Sequence, residues 1–156
     1  TFYKTVQNMM HYAVTHQTAA EIVYDRADAE KPHMGLMTWK NAPDGRVVKS
    51  DVTVAKNYLS EQEVDELNLL TTAFLDIAER RARRHVLTTM AEWKQVLEKY
   101  LKATDADVLP DAGSVSHDEA ESKAFGEYER FRRIQDKTLL SDFDKFIEEL
   151  GSADAD

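Results

Sequence analysis

The residues whose type and spacing most clearly suggest chemistry are five basic side chains near the middle of the chain: Arg80, Arg81, Arg83, Arg84 and His85. On a helix, Arg80, Arg83 and Arg84 point away from the neighbouring apolar residues and could contact the phosphates of a nucleic acid. The alternative is a solvated helix end, where the helix dipole favours cations. We favour the alternative, and we expect Arg81 and His85, beside the apolar face, to pair with carboxylates or carbonyl groups.

A second candidate site is the segment 29–50, in which four Pro and Gly residues interrupt any helical or strand period. Loops of this length in a compact domain are usually functional or mobile. Folded over the start of the helix that begins at Ser60, this loop could line a pocket with polar and aromatic side chains. The candidate lining residues are His33, Trp39, Lys40, Lys56, Asn57 and Tyr58. The simpler interpretation, which we favour, is that Trp39 only fills a gap in the core.

Metal-ion and nucleophilic chemistry have little support. The chain has no cysteine, which excludes thiolate catalysis and Cys-ligated zinc. Asp76 and Glu79 are spaced to share one helix face, but the sequence contains no Glu-x-x-His motif of the di-iron type and no Gly-rich phosphate-binding loop. We expect Asp25, Arg26 and Asp28 to form an ion-pair cluster. The sequence thus predicts no catalytic, cofactor-binding or metal-binding residue, and no cofactor.

The helix that carries the basic cluster has the strongest pattern in the chain and extends from Ser60 to His85. Ser60 and Glu63 form a capping box at its start. Apolar residues then recur at steps of three and four over about seven turns. The stripe consists of Val64, Leu67, Leu70, Thr71, Phe74, Leu75, Ile77, Ala78 and Ala82. A stripe this wide needs several other helices to cover it, so we expect this long helix at the centre of the fold.

The other segments also favour helices. Further N-terminal caps are predicted at Thr18, Thr89 and Ser116. Helical periods cover residues 2–15, 18–27, 89–101, 116–131 and 139–150, and a short helix follows Asp51. We predict that Gly151 ends the last helix. No strand pattern is present. The sequence therefore predicts an all-α fold with six or seven helices in one domain, residues 1–150, followed by a disordered tail, residues 151–156.

The net charge of −9 is concentrated in the last third of the chain. Residues 104–156 carry 15 acidic and 6 basic side chains, whereas residues 1–103 carry 14 of each. An acidic surface of this kind disfavours contact with a phosphate backbone. No apolar run reaches the roughly 18 residues that span a bilayer, and we expect a cytoplasmic protein. Because the first residue is Thr1 rather than Met, we expect the chain to be part of a longer protein.

Several segments resemble a known family. They are VQNMMHYAVTHQTAAEIVYDRADAEKPHMGLMTW, SDVTVAKNYLSEQEVDELNLLTTAFLDIAE, MAEW and GSVSHDEA, and they resemble the C-terminal part of the virulence-protein RhuM family over residues 6–131. Proteins of this family carry a predicted winged-helix-type DNA-binding segment ahead of this region. The resemblance implies the helical C-terminal domain of a predicted DNA-binding protein, with the DNA-binding segment missing from this chain. It supplies no catalytic residue.

The function we expect is a non-catalytic helical module for partner contact or self-association. Two terminal amphipathic segments lie outside the part that packs around the central helix. One contains Phe2, Val6, Met9, Met10 and Ala13, and the other contains Phe143, Phe146, Ile147 and Leu150. Because DNA-binding proteins with winged-helix segments commonly dimerise, we expect a homodimer through a terminal helix. The alternative is an enzyme of unknown chemistry acting on nucleic acid or nucleotide through a pocket under the 29–50 loop. We expect DNA contact through the missing N-terminal segment, and no membrane contact.

Overall fold

The computed structural model describes residues 2–154, which form five α-helices, three short 3-10 helices and no strand. The α-helices are α1 (Phe2–Thr15), α2 (Ala19–Arg26), α3 (Glu61–Arg83), α4 (Met90–Ala103) and α5 (His117–Asp154). The 3-10 helices are Pro32–Gly35, Lys49–Asp51 and Ala55–Tyr58. The predicted all-α class and single domain are confirmed. None of the described helices is both long and apolar enough to cross a membrane.

The helix starts follow the local sequence. Thr18, Ser60 and Thr89 each precede a helix, and each hydroxyl accepts the backbone N–H of a glutamate three residues later. The glutamate carboxylate in turn accepts the N–H of the capping residue, which completes the capping box. At α5 the Ser116 hydroxyl accepts the N–H of Glu119 at 3.1 Å. These starts are where the sequence predicted them.

The number of helices differs from the prediction at two places. The segment after Asp51 forms 3-10 turns, and the last two predicted helices are one helix of 38 residues. No Gly or Pro interrupts residues 132–138, so nothing there ends the helix. The predicted stop at Gly151 was also wrong, because α5 continues to Asp154. Of the predicted disordered tail, residues 155 and 156 lie outside the described residues.

The core lies between α1, α2, the segment 27–59, parts of α3 and α4, and the first half of α5. Its most completely buried side chains are Met9, Thr18, Ile22, Met34, Val47, Val52, Leu59, Leu97 and Leu101. The small residues Ala120 and Ala124 are buried on α5, where they allow α2 to approach closely. Four of the most buried side chains come from the segment 27–59, which contains no α-helix: Met34, Val47, Val52 and Leu59. The long irregular segment is therefore part of the core and does not simply cover it.

The expected central position of α3 is not confirmed. Of its apolar stripe only Leu67 and Leu70 are buried, while Leu75 is 61% exposed. The helix packs mainly against α1, and the Phe74 ring meets the Trp93 ring of α4 edge to face at 5.7 Å. The sequence correctly predicted which side of α3 faces the core. Fewer helices pack against that side than the width of the apolar stripe suggested.

The orientation of α3 predicts a contrast between two leucines two residues apart. Leu67 is 4% exposed and Leu69 is 72% exposed. We expect Leu67→Ala to lower the free energy of unfolding by about 2–4 kcal/mol, because it leaves a cavity against α1. Leu69→Ala, the matched control, should change it by less than about 0.5 kcal/mol. Urea denaturation of both variants measures the difference, and equal losses would show that the helix is rotated from this orientation.

Candidate interaction surface

The basic cluster at the end of α3 is partly neutralised by its own helix. Arg80 Nε donates to Asp76 Oδ2 at 3.0 Å, and an Arg83 guanidinium nitrogen donates to Glu79 Oε1 at 2.7 Å. Both are exposed pairs four residues apart, which stabilise a helix slightly. Arg84 is the C-terminal capping residue of α3, exposed and without an ion pair to any described residue. The candidate nucleic-acid contacts are therefore together at one helix end, with two of the three charges paired.

The partners expected for Arg81 and His85 were wrong. Arg81 Nε donates to the Thr88 hydroxyl at 3.2 Å, and its guanidinium carbon lies 5.7 Å from the centre of the Trp93 ring. These contacts join α3 to α4 through a hydroxyl and an indole rather than a carboxylate or carbonyl group. His85 is exposed, with a φ of 54° at the turn after α3.

Two of the six candidate pocket residues line an open depression of about 520 Å³. The His33 ring stacks on Trp39, with ring centres 4.3 Å apart. The full lining is Arg26, Lys31, Pro32, His33, Gly35, Leu36, Met37 and Trp39. Gly35 has a φ of +89°, and a Cβ there would lie 2.3 Å from the carbonyl oxygen of Arg26, so only glycine fits. Trp39 itself is 7% exposed, and its indole N–H donates to the Gly45 carbonyl oxygen at 2.9 Å.

The other four candidate residues do not line this depression. The Lys40 backbone N–H donates to Asp51 Oδ1 at 3.1 Å, and the Asn57 side-chain amide donates to the Asp51 carbonyl oxygen at 3.0 Å. The Tyr58 hydroxyl donates to the buried Val52 carbonyl oxygen at 2.6 Å, and burial raises the pKa of Tyr58. Lys56 is exposed. Three of the four thus take part in hydrogen bonds that hold the loop in place.

An ion pair that the sequence did not indicate joins α2 to α3. Arg26 donates from both terminal nitrogens to the Glu63 carboxylate, at 2.7 and 2.9 Å, and from one of them to the Tyr58 carbonyl oxygen at 3.1 Å. The predicted cluster of Asp25, Arg26 and Asp28 was therefore wrong, since the partner is 37 residues away. The hydrogen bonds from Arg26 lower the pKa of Glu63 to about 2.

Asp51 has a structural role that the sequence did not indicate. Its side chain is buried, 5% exposed, and accepts the backbone N–H of Lys40 and of Val48 at 3.1 and 2.9 Å. A buried carboxylate is tolerated when hydrogen bonds of this kind satisfy it. The sequence predicts only that a short helix follows Asp51. The Asp51 side chain links the two sides of the 39–48 turn.

The histidines do not converge on a site. Burial, together with the positive charge of Lys56, lowers the pKa of His11 to about 4, and its Nδ1 is buried without a hydrogen-bond partner. His16 pairs with Asp107 at 3.0 Å on the surface. His117, Asp118 and Glu121 lie close enough together to hold a cation, but His117 and Asp118 are exposed and Glu121 is partly exposed. Exposed acids at a helix start are favoured by the helix dipole alone.

A groove of about 920 Å³ lies between α1, α4 and the 104–116 loop. Its charged lining is mixed, with Lys4 and Lys94 facing Glu98 and Asp111. The Thr18 hydroxyl at its floor already accepts the Glu21 N–H, and Asn8 Oδ1 accepts the Ala19 N–H at 3.0 Å. The start of α2 is thus already satisfied by protein groups.

Among the residues whose burial the structure describes, the longest series of exposed large apolar side chains is on the second half of α5. Residues 137–152 are all exposed. Six large apolar side chains lie along one side of this segment, each between 43% and 62% exposed. We call them the outer stripe: Leu139, Leu140, Phe143, Phe146, Ile147 and Leu150. Isolated exposed apolar residues are ordinary, but a contiguous set of this size is uncommon on a monomeric soluble protein.

The fold and this surface define a single helical domain whose last helix extends past its core with an uncovered apolar face. The sequence model of the Virulence protein RhuM family matches residues 1–139, and the chain therefore belongs to that family. No curated protein and no solved structure matches the chain. The family match ends close to Asp136, which pairs with Arg46 of the 39–48 turn. Most of the outer stripe lies beyond the matched residues.

The Arg26–Glu63 pair predicts a pH-dependent stability. Because the pKa of Glu63 falls from 4.5 to about 2 on folding, the pair stabilises the folded state fully above pH 4.5. This contribution is lost as the pH falls through about 2. We expect Glu63→Gln to lower the free energy of unfolding at pH 7 by about 1–2 kcal/mol, since the site is partly exposed.

The measurement is chemical denaturation of both proteins between pH 7 and pH 2. The difference between them should shrink steadily below pH 4.5. Glu61→Gln, in the same helical turn but exposed, serves as the control and should follow the unmodified protein. A difference that stays constant down to pH 2 would contradict the assigned role of the ion pair.

Proposed function

We propose that this chain is a non-catalytic interaction domain of a RhuM-family protein, and that it self-associates through the outer stripe of α5. The observation that carries the proposal is the uncovered apolar side of residues 137–152. An isolated amphipathic helix of this length is only marginally stable in water. A partner that covers the stripe stabilises the helix and removes apolar surface from water at the same time.

The size of the stripe supports a specific contact. Two Phe, three Leu and one Ile remain about half exposed in the single chain. If two copies cover these side chains, the interface buries on the order of 1,000 Å² in total, which reaches the lower end of specific protein–protein interfaces. Aromatic side chains such as Phe143 and Phe146 are enriched in the central part of such interfaces.

The alternative, an enzyme acting on nucleic acid or nucleotide under the 29–50 loop, has weaker support. Trp39 and Tyr58 are buried and hydrogen-bonded to backbone carbonyl groups, so neither ring face is free for a base. Asp51, the buried carboxylate, accepts two backbone N–H groups. His11, which has an unpartnered Nδ1, lines neither the depression nor the groove. These residues act as parts of the core.

We further propose that DNA contact by the full-length protein comes from a segment outside this chain. Two of the three outward arginines of α3 are already paired. The excess negative charge of residues 104–156 repels a phosphate backbone. This agrees with the winged-helix-type segment that the family resemblance places ahead of this region.

Self-association is tested by sedimentation of the chain at micromolar concentration. We expect a species of about twice 17.8 kDa. The double variant Phe143→Ser, Phe146→Ser should dissociate at least about 100-fold more readily, because it removes four central aromatic rings from the interface. Leu69→Ser, at an exposed apolar position outside the stripe, is the matched control and should remain associated. One species at 17.8 kDa that does not change with concentration would end the proposal.

The DNA proposal predicts that this chain binds duplex no better than the nonspecific range, roughly 10⁻⁴ to 10⁻⁶ M at physiological salt. Changing Arg80, Arg83 and Arg84 together to Ala should leave that weak binding nearly unchanged. Fluorescence anisotropy with a labelled duplex measures both proteins. A sequence-specific complex at nanomolar concentration that the triple variant abolishes would assign DNA contact to the end of α3 instead.

A further inference from the structure

The spacing of the outer stripe indicates how a second copy binds. Leu139, Phe143, Phe146 and Leu150 follow one another at steps of four, three and four residues. This is the repeat by which two helices interlock their side chains along a shared seam. Resting on the proposed self-association, we infer that the outer segments of two α5 helices pair antiparallel, with the two-fold axis between Phe143 and Phe146.

In this arrangement every large side chain of the seam meets an apolar side chain. Phe143 lies opposite Phe146 of the second copy, and Leu139 lies opposite Leu150 of the second copy. Leu140 and Ile147 lie on one flank of the seam, and antiparallel pairing places them against each other across the interface. In a parallel pair, by contrast, one flank of each helix faces the opposite flank of its partner. Ile147 then lies beside the carboxylate of Asp142 of the second copy.

Charge along α5 favours the same orientation. Near the core, Arg133 and Lys137 are exposed and have no ion pair to any described residue. Toward the end of the chain, residues 142–156 contain six acidic side chains and one Lys. Antiparallel pairing brings the acidic end of each copy to the basic side chains of the other, whereas parallel pairing places two acidic ends side by side. Opposite charges across an interface fix the orientation of helix pairs.

One flank of the antiparallel pair carries like charges. Asp142 lies opposite Glu149 of the second copy, and the relation occurs twice by symmetry. Both side chains are exposed, so water and salt screen this repulsion. The overlap of residues 137–152 extends over about 24 Å of helix at the usual rise per residue, which separates the two cores and leaves room for both.

The absence of cysteine from the chain makes a direct test of orientation possible. Leu139→Cys and Leu150→Cys are made singly in the full chain and treated with a short bismaleimide, alone and mixed. In the antiparallel pair, a thiol at residue 139 lies opposite a thiol at residue 150 of the other copy. Two thiols at the same residue number lie about 16 Å apart along the helix, so only the mixture of the two variants brings thiols together. We expect a cross-linked dimer as the main product of the mixture and little from either variant alone. Sedimentation of each variant before cross-linking verifies that it still associates.

The outcomes separate this inference from the proposal on which it rests. Cross-linking of each variant with itself would show a parallel pair and overturn the antiparallel inference, while self-association through the stripe would stand. Dimers in sedimentation without cross-links in any sample would place the contact elsewhere and overturn both. Monomers of the unmodified chain in sedimentation would likewise overturn both.

Discussion

The ion pair between Arg26 and Glu63 is the contact on which the arrangement of the other elements most depends. It joins the last residue of α2 to the first turn of α3, and Glu63 also accepts the N–H of Ser60. The same guanidinium donates to the Tyr58 carbonyl oxygen. One pair of side chains thus fixes the end of one helix, the 3-10 turn 55–58 and the start of another.

From Tyr58 the hydrogen bonds continue through the irregular segment. The Tyr58 hydroxyl donates to the Val52 carbonyl oxygen, and the neighbouring Asp51 accepts the N–H groups of Lys40 and Val48. Because the buried backbone groups of a segment without regular structure need partners, such contacts replace the hydrogen bonds of a helix. The segment that resembles a flexible loop in the sequence is therefore a fixed part of the core, and its polar residues serve its own folding.

Local signals predicted much of the fold. Each helix start with Ser or Thr and a Glu three residues later was correct, since a capping box depends only on neighbouring residues. Contacts between distant residues were not predictable: nothing in the residues around Arg26 identifies Glu63 as its partner. The width of the α3 stripe, similarly, did not show how many elements cover it, and only Leu67 and Leu70 became buried. For the candidate pocket, the sequence correctly grouped His33 with Trp39, but the other four residues turned to different neighbours.

The first half of α5 packs on the core and the second half is exposed. This difference arises because the apolar side of the helix points in a different direction in its second half. Tyr128 and Phe131 face the core and are buried, whereas Ile134 and all six residues of the outer stripe, which begins at Leu139, are exposed. Eight residues separate Phe131 from Leu139, and at about 100° per residue this turns the apolar side by roughly 80°. The same shift made one helix resemble two in the sequence. It also means that the outer stripe cannot continue the packing of the first half on its own core, because it faces a different direction. A surface that its own chain cannot cover is available to another chain, and the beginning of the outer stripe coincides with the end of the family match at residue 139.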